Sequence, residues 1–196
     1  MTRLRRSAYA VLRILRAVGI GYVLVLGGLL LFERTLLYPM PNPASGDWNP
    51  PGIDFEDVFL TAADGTKLHG WFLPSENPRA TILFFHGNGE DINSRAMFME
   101  CTFDSLSNVA AEHVRWAPVR WLMTNQYRSA NRLANYQGRF IHWHGDNDPV
   151  VSFASGKRLF KAVGSEQKSF FLGSGYGHND DSPSDFKAAI RGVIAH

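Results

Sequence analysis

Two apolar runs stand closer together in this chain than a parallel sheet easily allows. The first is Ala80–Gly87 (ATILFFHG) and the second is Ala96–Phe103 (AMFMECTF). Both are continuous rather than alternating, the pattern of a strand covered on its two faces. The connection Gly87–Arg95 is nine residues. A crossover between parallel neighbours usually takes ten to twelve or more, and nothing in this one has a helical pattern. A chain built this way is expected to make a small sheet, strained or partly disordered, with apolar surface left uncovered.

The remaining elements follow from periodicity. Phe55–Pro74 carries two alternating apolar runs around Asp64-Gly65, a hairpin signal. Arg139–Gly145 (RFIHWHG) is a third continuous run, and Ser169–His178 a weaker fourth. Ser105–His113, Phe153–Val163 and Asp185–Ala195 place their apolar residues at helical spacing. Strands alternating with helices give an α/β class, with a mostly parallel sheet opened by an antiparallel hairpin.

Residues Ala17–Phe32 carry no charge, a little short of the roughly 20 residues needed to cross a bilayer core. Upstream apolar residues extend the run if Arg13 and Arg16 snorkel to the headgroups. No small-x-small cleavage site follows closely, which favours an uncleaved single-pass anchor over a signal peptide. Arg3, Arg5, Arg6, Arg13 and Arg16 predict a cytoplasmic N-terminus and a domain on the opposite side. Pro39–Gly52 holds five prolines and two glycines and reads as an extended connector. The expected organisation is therefore an anchor over 1–34, a connector over 35–54 and an α/β domain over 55–196.

Net charge is +2 over 196 residues. The five N-terminal arginines account for that excess, so the rest is slightly acidic and no nucleic-acid surface is expected. One cysteine, Cys101, excludes an internal disulfide and a thiolate zinc cluster. No cofactor motif is present. His142, His144 and Asp146 form an H-x-H-x-D pattern with two imidazoles on one face of a strand. Asn147 stands where a metal site of that kind has a further histidine, so no metal is expected, and the two histidines are expected to pack in or just beyond the strand.

The hairpin, LFFHGNG (Leu83–Gly89), ECTFDSL (Glu100–Leu106), HWHGDNDPVV (His142–Val151) and GYGHND (Gly175–Asp180) occur in that order. Together they resemble the α/β-hydrolase superfamily, and more narrowly its membrane-anchored Bem46-like serine hydrolases and serine aminopeptidase-type domains. The resemblance implies an acyl-type small-molecule substrate and no cofactor. It makes Asp148 the triad acid, with Asp146 as the alternate, and His178 the triad base. The order acid then histidine agrees with that fold. It also implies an oxyanion loop at His86, Gly87 and Asn88, whose backbone N–H groups would face the developing charge.

The nucleophile of that family sits in Gly-x-Ser-x-Gly on a strand-to-helix elbow, and the pattern does not occur in this chain. Ser174, in GSGYG, is in the wrong place and leads into the histidine loop. Against the family, the region that would carry the elbow is absent at a junction near Arg95/Ala96. It corresponds to two strand–helix units, on the order of 60–80 residues. Cys101 matches a structural position after a strand and is expected to be a small core residue; Ser94 is no better placed. The fold expected is thus a truncated α/β-hydrolase-like sheet without its nucleophile. It is either an impaired ester, thioester or amide hydrolase, or a non-catalytic binding or regulatory module tethered to the lipid bilayer and open to a protein partner, or a truncated product. Trp116, Trp121 and Tyr127 lie in a stretch, Arg115–Tyr136, that is cap-like in the family, and ordinary helix packing is the reading preferred for them.

Overall fold

A computed structural model describes residues 3–38, 52, 54–78 and 96–194. They fall into two compact units, one holding the hairpin and the other the N-terminal helices with everything from residue 96 onward. The Ala80–Gly87 run, the proposed oxyanion residues, Ser94, nearly all of the proline-rich connector and Ala195 lie outside the described residues.

In the hairpin unit, β1 (Glu56–Thr61) pairs antiparallel with β2 (Lys67–Phe72). The turn is set by Asp64, whose Oδ1 accepts from the Thr66 amide at 2.9 Å, and by Gly65 at φ +86°. Phe59, Leu60, Phe72 and Leu73 on this two-stranded ribbon are exposed.

The larger unit begins with α1 (Arg3–Leu31) and α2 (Glu33–Leu37). The stretch Tyr9–Leu31 is long and apolar enough to cross a membrane, with mean hydropathy 2.2. A parallel sheet follows, in the order β3 (Ala96–Glu100), β4 (Arg139–Gly145), β5 (Lys168–Gly173). β4 is central and buried along nearly its whole length, which is why its sequence reads as a continuous apolar run. Strand alternation sends Phe140 to one face, where it packs with Met97, Leu133, Leu159 and Val163. Ile141 and Trp143 point to the other face and pack with Phe186.

α6 (Phe153–Ala162) contributes Leu159 to the first face, and α7 (Ser184–Ile194) contributes Phe186 to the second. The result is an α/β/α layering about β4. The Ser152 hydroxyl caps α6 by accepting from the Ser155 amide, and Lys168 Nζ donates to the carbonyls of Phe160, Lys161 and Val163 at its other end. Gly156 lets α6 approach β4, since a Cβ there would fall 2.2 Å from Nδ1 of His144.

Three sequence expectations change in detail. β3 stops at Glu100 rather than Phe103, because Cys101 adopts φ +44° and turns the chain out of the strand. β5 stops at Gly173, before the histidine loop. Between α3 (Leu106–His113) and β4 lie two short helices, α4 (Val119–Leu122) and α5 (Ser129–Leu133). Only part of that region packs as expected. Tyr127 lies against the Phe103, Val109 and Val151 cluster, whereas Trp116 and Trp121 are exposed.

Candidate functional site

The site forms where β4 and β5 end. The turn after β4 carries Asp148, whose Oδ1 accepts from the amides of Val150 at 2.8 Å and Val151 at 2.9 Å. Those two bonds close the Asp-Pro turn and leave Oδ2 pointing across to the next loop. There, His178 presents Nδ1 at 2.8 Å from Oδ2. The Asp148 side chain is fully buried and that of His178 is 29% exposed. A carboxylate only accepts, so Nδ1 carries the proton and Nε2 is left as the accepting nitrogen.

Asp146 and Asp148 are separated by what they hold. Asp146 Oδ1 accepts from the Gly175 amide at 2.6 Å, and its own amide donates to the Gly173 carbonyl at 3.0 Å. Asn147 donates from its amide to the Tyr176 carbonyl at 3.1 Å. Asp146 therefore ties the histidine loop to the β4 turn, and Asp148 faces the imidazole. Gly145 belongs to the same seam, because a Cβ on it would lie 2.1 Å from the Tyr176 carbonyl oxygen.

Two further side chains reach Asp148. His144 Nε2 lies 3.3 Å from Asp148 Oδ2 and donates to the Val151 carbonyl at 2.9 Å. Cys101, 4% exposed, places its thiol against Asp148 and the Gly145 amide. Burial, then the neighbouring Asp148 and Glu100 carboxylates, pushes that thiol up to about 11. Cys101 is thus a protonated, enclosed thiol, in keeping with its reading as a core residue. Burial works against the charge of Asp148, but His178 and the Val151 and Val150 amides outweigh it and hold the carboxyl below its ordinary range.

The H-x-H-x-D residues do not converge on one point: the His142 and His144 rings meet edge-on with centroids 5.7 Å apart, but Asp146 is turned to the Gly175 amide. Both ring nitrogens of His142 are buried without a hydrogen-bond partner, its ring set edge-on to Phe140 and Phe170, and Asp146 is engaged with the histidine loop. Burial, then His144, drives the His142 pKa down to about 3. A different trio, Cys101, His144 and Asp148, has donor atoms all within 4.8 Å of one another. To hold a metal ion, His144 would have to give up the Val151 carbonyl and Asp148 its imidazole. The approach of Cys101 and His144 to Asp148 was not foreseen from sequence. The only available signal was that His144 and Asp148 stand on the two sides of one tight Gly-Asp-Asn turn, with Cys101 at the end of the neighbouring strand.

No protein-family model matches the chain. The uncharacterized protein Rv2307c of Mycobacterium tuberculosis is 30% identical over 98 residues, covering 50% of this chain and 34% of that protein. The uncharacterized protein YfhR of Salmonella typhi is 31% identical over 87 residues, 42% of this chain and 30% of its own length. The alpha/beta hydrolase domain-containing protein WAV2 of Arabidopsis thaliana is 34% identical over 86 residues, 39% and 28% of the two chains. The chain therefore spans about a third of the length of the curated relatives it matches. Among solved structures, a cold-adapted esterase from an Arctic intertidal metagenomic library aligns over 52% of this chain and 38% of its own, at 12% identity and TM-score 0.37. A monoacylglycerol lipase of Paleococcus ferrophilus aligns over 47% and 40%, at 14% identity and TM-score 0.29.

Proposed function

We propose that this chain is a membrane-anchored, α/β-hydrolase-like domain of the acyl-hydrolase kind. In this reading it keeps the acid–histidine pair of a serine hydrolase but has lost the nucleophile. The observation that carries it is the Asp148–His178 contact at 2.8 Å, on loops after consecutive parallel strands. Asp148 would orient the imidazole and stabilise it when protonated, leaving Nε2 to take a proton from an attacking group. The partial similarity to an alpha/beta hydrolase domain-containing protein supports the same lineage.

The chain contains no Gly-x-Ser-x-Gly, and Cys101 is enclosed and protonated. With the nucleophile gone, only binding and oxyanion contributions of a triad survive, a small remainder of the full acceleration. The chain is therefore a binding or regulatory module, tethered by α1, that derives from enzymes of ester, thioester or amide bonds. The short Gly87–Arg95 connection supports loss of the elbow-bearing segment near Arg95/Ala96. The N-terminal arginines support a cytoplasmic N-terminus with the domain on the other side.

Hydrolysis of p-nitrophenyl esters of graded acyl length by the full chain in detergent micelles tests this. The expected rate is equal to that of the His178→Ala variant. Turnover that His178→Ala abolishes would overturn the reading.

A further inference from the structure

The stretch from His113 to Gly145 contains five arginines, Arg115, Arg120, Arg128, Arg132 and Arg139, and no Asp or Glu. Within it, Trp116 is 56% exposed and Trp121 is 89% exposed. Large exposed indoles in a stretch whose charged side chains are all arginines are unusual on a water-facing surface. They are the composition of a surface that meets an anionic bilayer, where indoles settle at headgroup level and arginines attract lipid phosphates.

This segment is held to α1. The Tyr22 hydroxyl donates to the Trp116 carbonyl at 3.1 Å, and the two rings meet edge-on with centroids 6.1 Å apart. Further along, Glu33 is 7% exposed and clamps the same segment. Its carboxylate accepts from the Thr124 amide and hydroxyl and from the Asn125 amide and side-chain NH₂, at 2.8 to 3.2 Å. The depth of the segment therefore follows the depth of α1.

Helical rise sets that depth. From Tyr9 to Tyr22 the helix climbs about 20 Å, against a hydrocarbon core of about 30 Å. A helix crossing with Tyr9 at the far boundary brings Tyr22, and Trp116 with it, to rest about 10 Å inside the near one. Glu33, about 16 Å further along the axis, then emerges among the headgroups. An embedding of 5–10 Å is the normal depth of interfacial elements.

Resting on the membrane-anchor reading above, we propose that the 115–122 segment is a bilayer-docking surface. Trp116 and Trp121 enter the headgroup–acyl boundary of an anionic leaflet, and Arg115 and Arg120 engage its phosphates. The domain is thereby held against the membrane rather than hanging free from its anchor.

The test uses the full chain in vesicles of phosphatidylcholine with phosphatidylglycerol, carrying phosphatidylcholine brominated at either the 6,7 or the 11,12 acyl positions. Tryptophan emission is read for the natural chain and for Trp121→Phe and Trp116→Phe. The expected result is that each substitution removes a lipid-quenchable component, stronger with 6,7 bromination. Arg115→Glu with Arg120→Glu should roughly halve that component in anionic vesicles and leave it unchanged in pure phosphatidylcholine. A Val18→Trp reporter in a Trp116→Phe, Trp121→Phe background separates the two readings. If that reporter is quenched while Trp121 answers only to aqueous iodide, the docking surface is refuted and the anchor stands. If neither is quenched by lipid, both fail.

Discussion

His178 and Asp148 lie thirty positions apart in sequence and meet at 2.8 Å, because the turns after β4 and β5 are stitched together by Asp146 and Asn147. The acid is fixed from behind by two backbone amides, so the pair is a property of the loops' backbone as much as of the two side chains.

Asp148→Asn should therefore cost about 1–3 kcal/mol of stability, the usual penalty for leaving buried partners unmatched. An amide at this position keeps one acceptor for the Val150 and Val151 amides but cannot satisfy both His178 and His144. Asp146→Asn, at a more exposed position, should cost less than half as much. Urea denaturation of the two variants side by side checks this, and equal losses would contradict it.

His142 predicts an acid-labile sheet. The unfolded chain takes up a proton near the ordinary pKa of 6.5, whereas the folded chain resists until about 3. The folded pKa is depressed, so the stability tied to His142 is complete above pH 6.5. It is lost as pH falls from there toward 3, at up to about 1.4 kcal/mol per pH unit. His142→Leu removes two unpartnered ring nitrogens and should shrink the loss between pH 7 and pH 5 by about 2 kcal/mol. An unchanged pH slope in urea denaturation would show that the imidazole is hydrated.

Gly156 lets α6 pack against β4. Gly156→Ala places a methyl group 2.2 Å from His144 Nδ1, and should destabilise by about 2–3 kcal/mol through overpacking. Thermal unfolding measures it, and a neutral substitution would mean that the His144 ring can swing aside.

Glu33 predicts local protection. Burial opposes its charge, but the amides of Asn125 and Thr124 and their side chains outweigh it and hold the carboxyl below its usual range. Glu33→Gln should speed hydrogen exchange at the Thr124 and Asn125 amides by about tenfold or more while leaving β4 unchanged. Unaltered exchange at those two amides would mean that the clamp is not formed in solution.

How much of this was legible in the sequence depends on how local each signal is. The central strand could be read because RFIHWHG is buried on both faces. α6 and α7 could be read because each presents one apolar stripe to a sheet face. The contact between Asp148 and His178 was reachable only through the order of short motifs, and that Asp148 rather than Asp146 faces the imidazole needed the backbone amides that each one holds. The early end of β3 was hidden, since nothing about Cys101 in isolation announces φ +44°. The exposure of Trp116 and Trp121 was also hidden. An indole beside a short helix reads as core until the charge pattern around it and its tie to α1 are known.

The most direct measurement is fluorophosphonate labelling of the folded full chain, with any adduct mapped by mass spectrometry. On the proposed reading, in which the chain has kept Asp148 and His178 but lost its elbow, no serine adduct should rise above the His178→Ala background. A stoichiometric adduct at one serine, abolished by His178→Ala, would mean that a nucleophile has been supplied from elsewhere in the chain and that the domain is a working hydrolase.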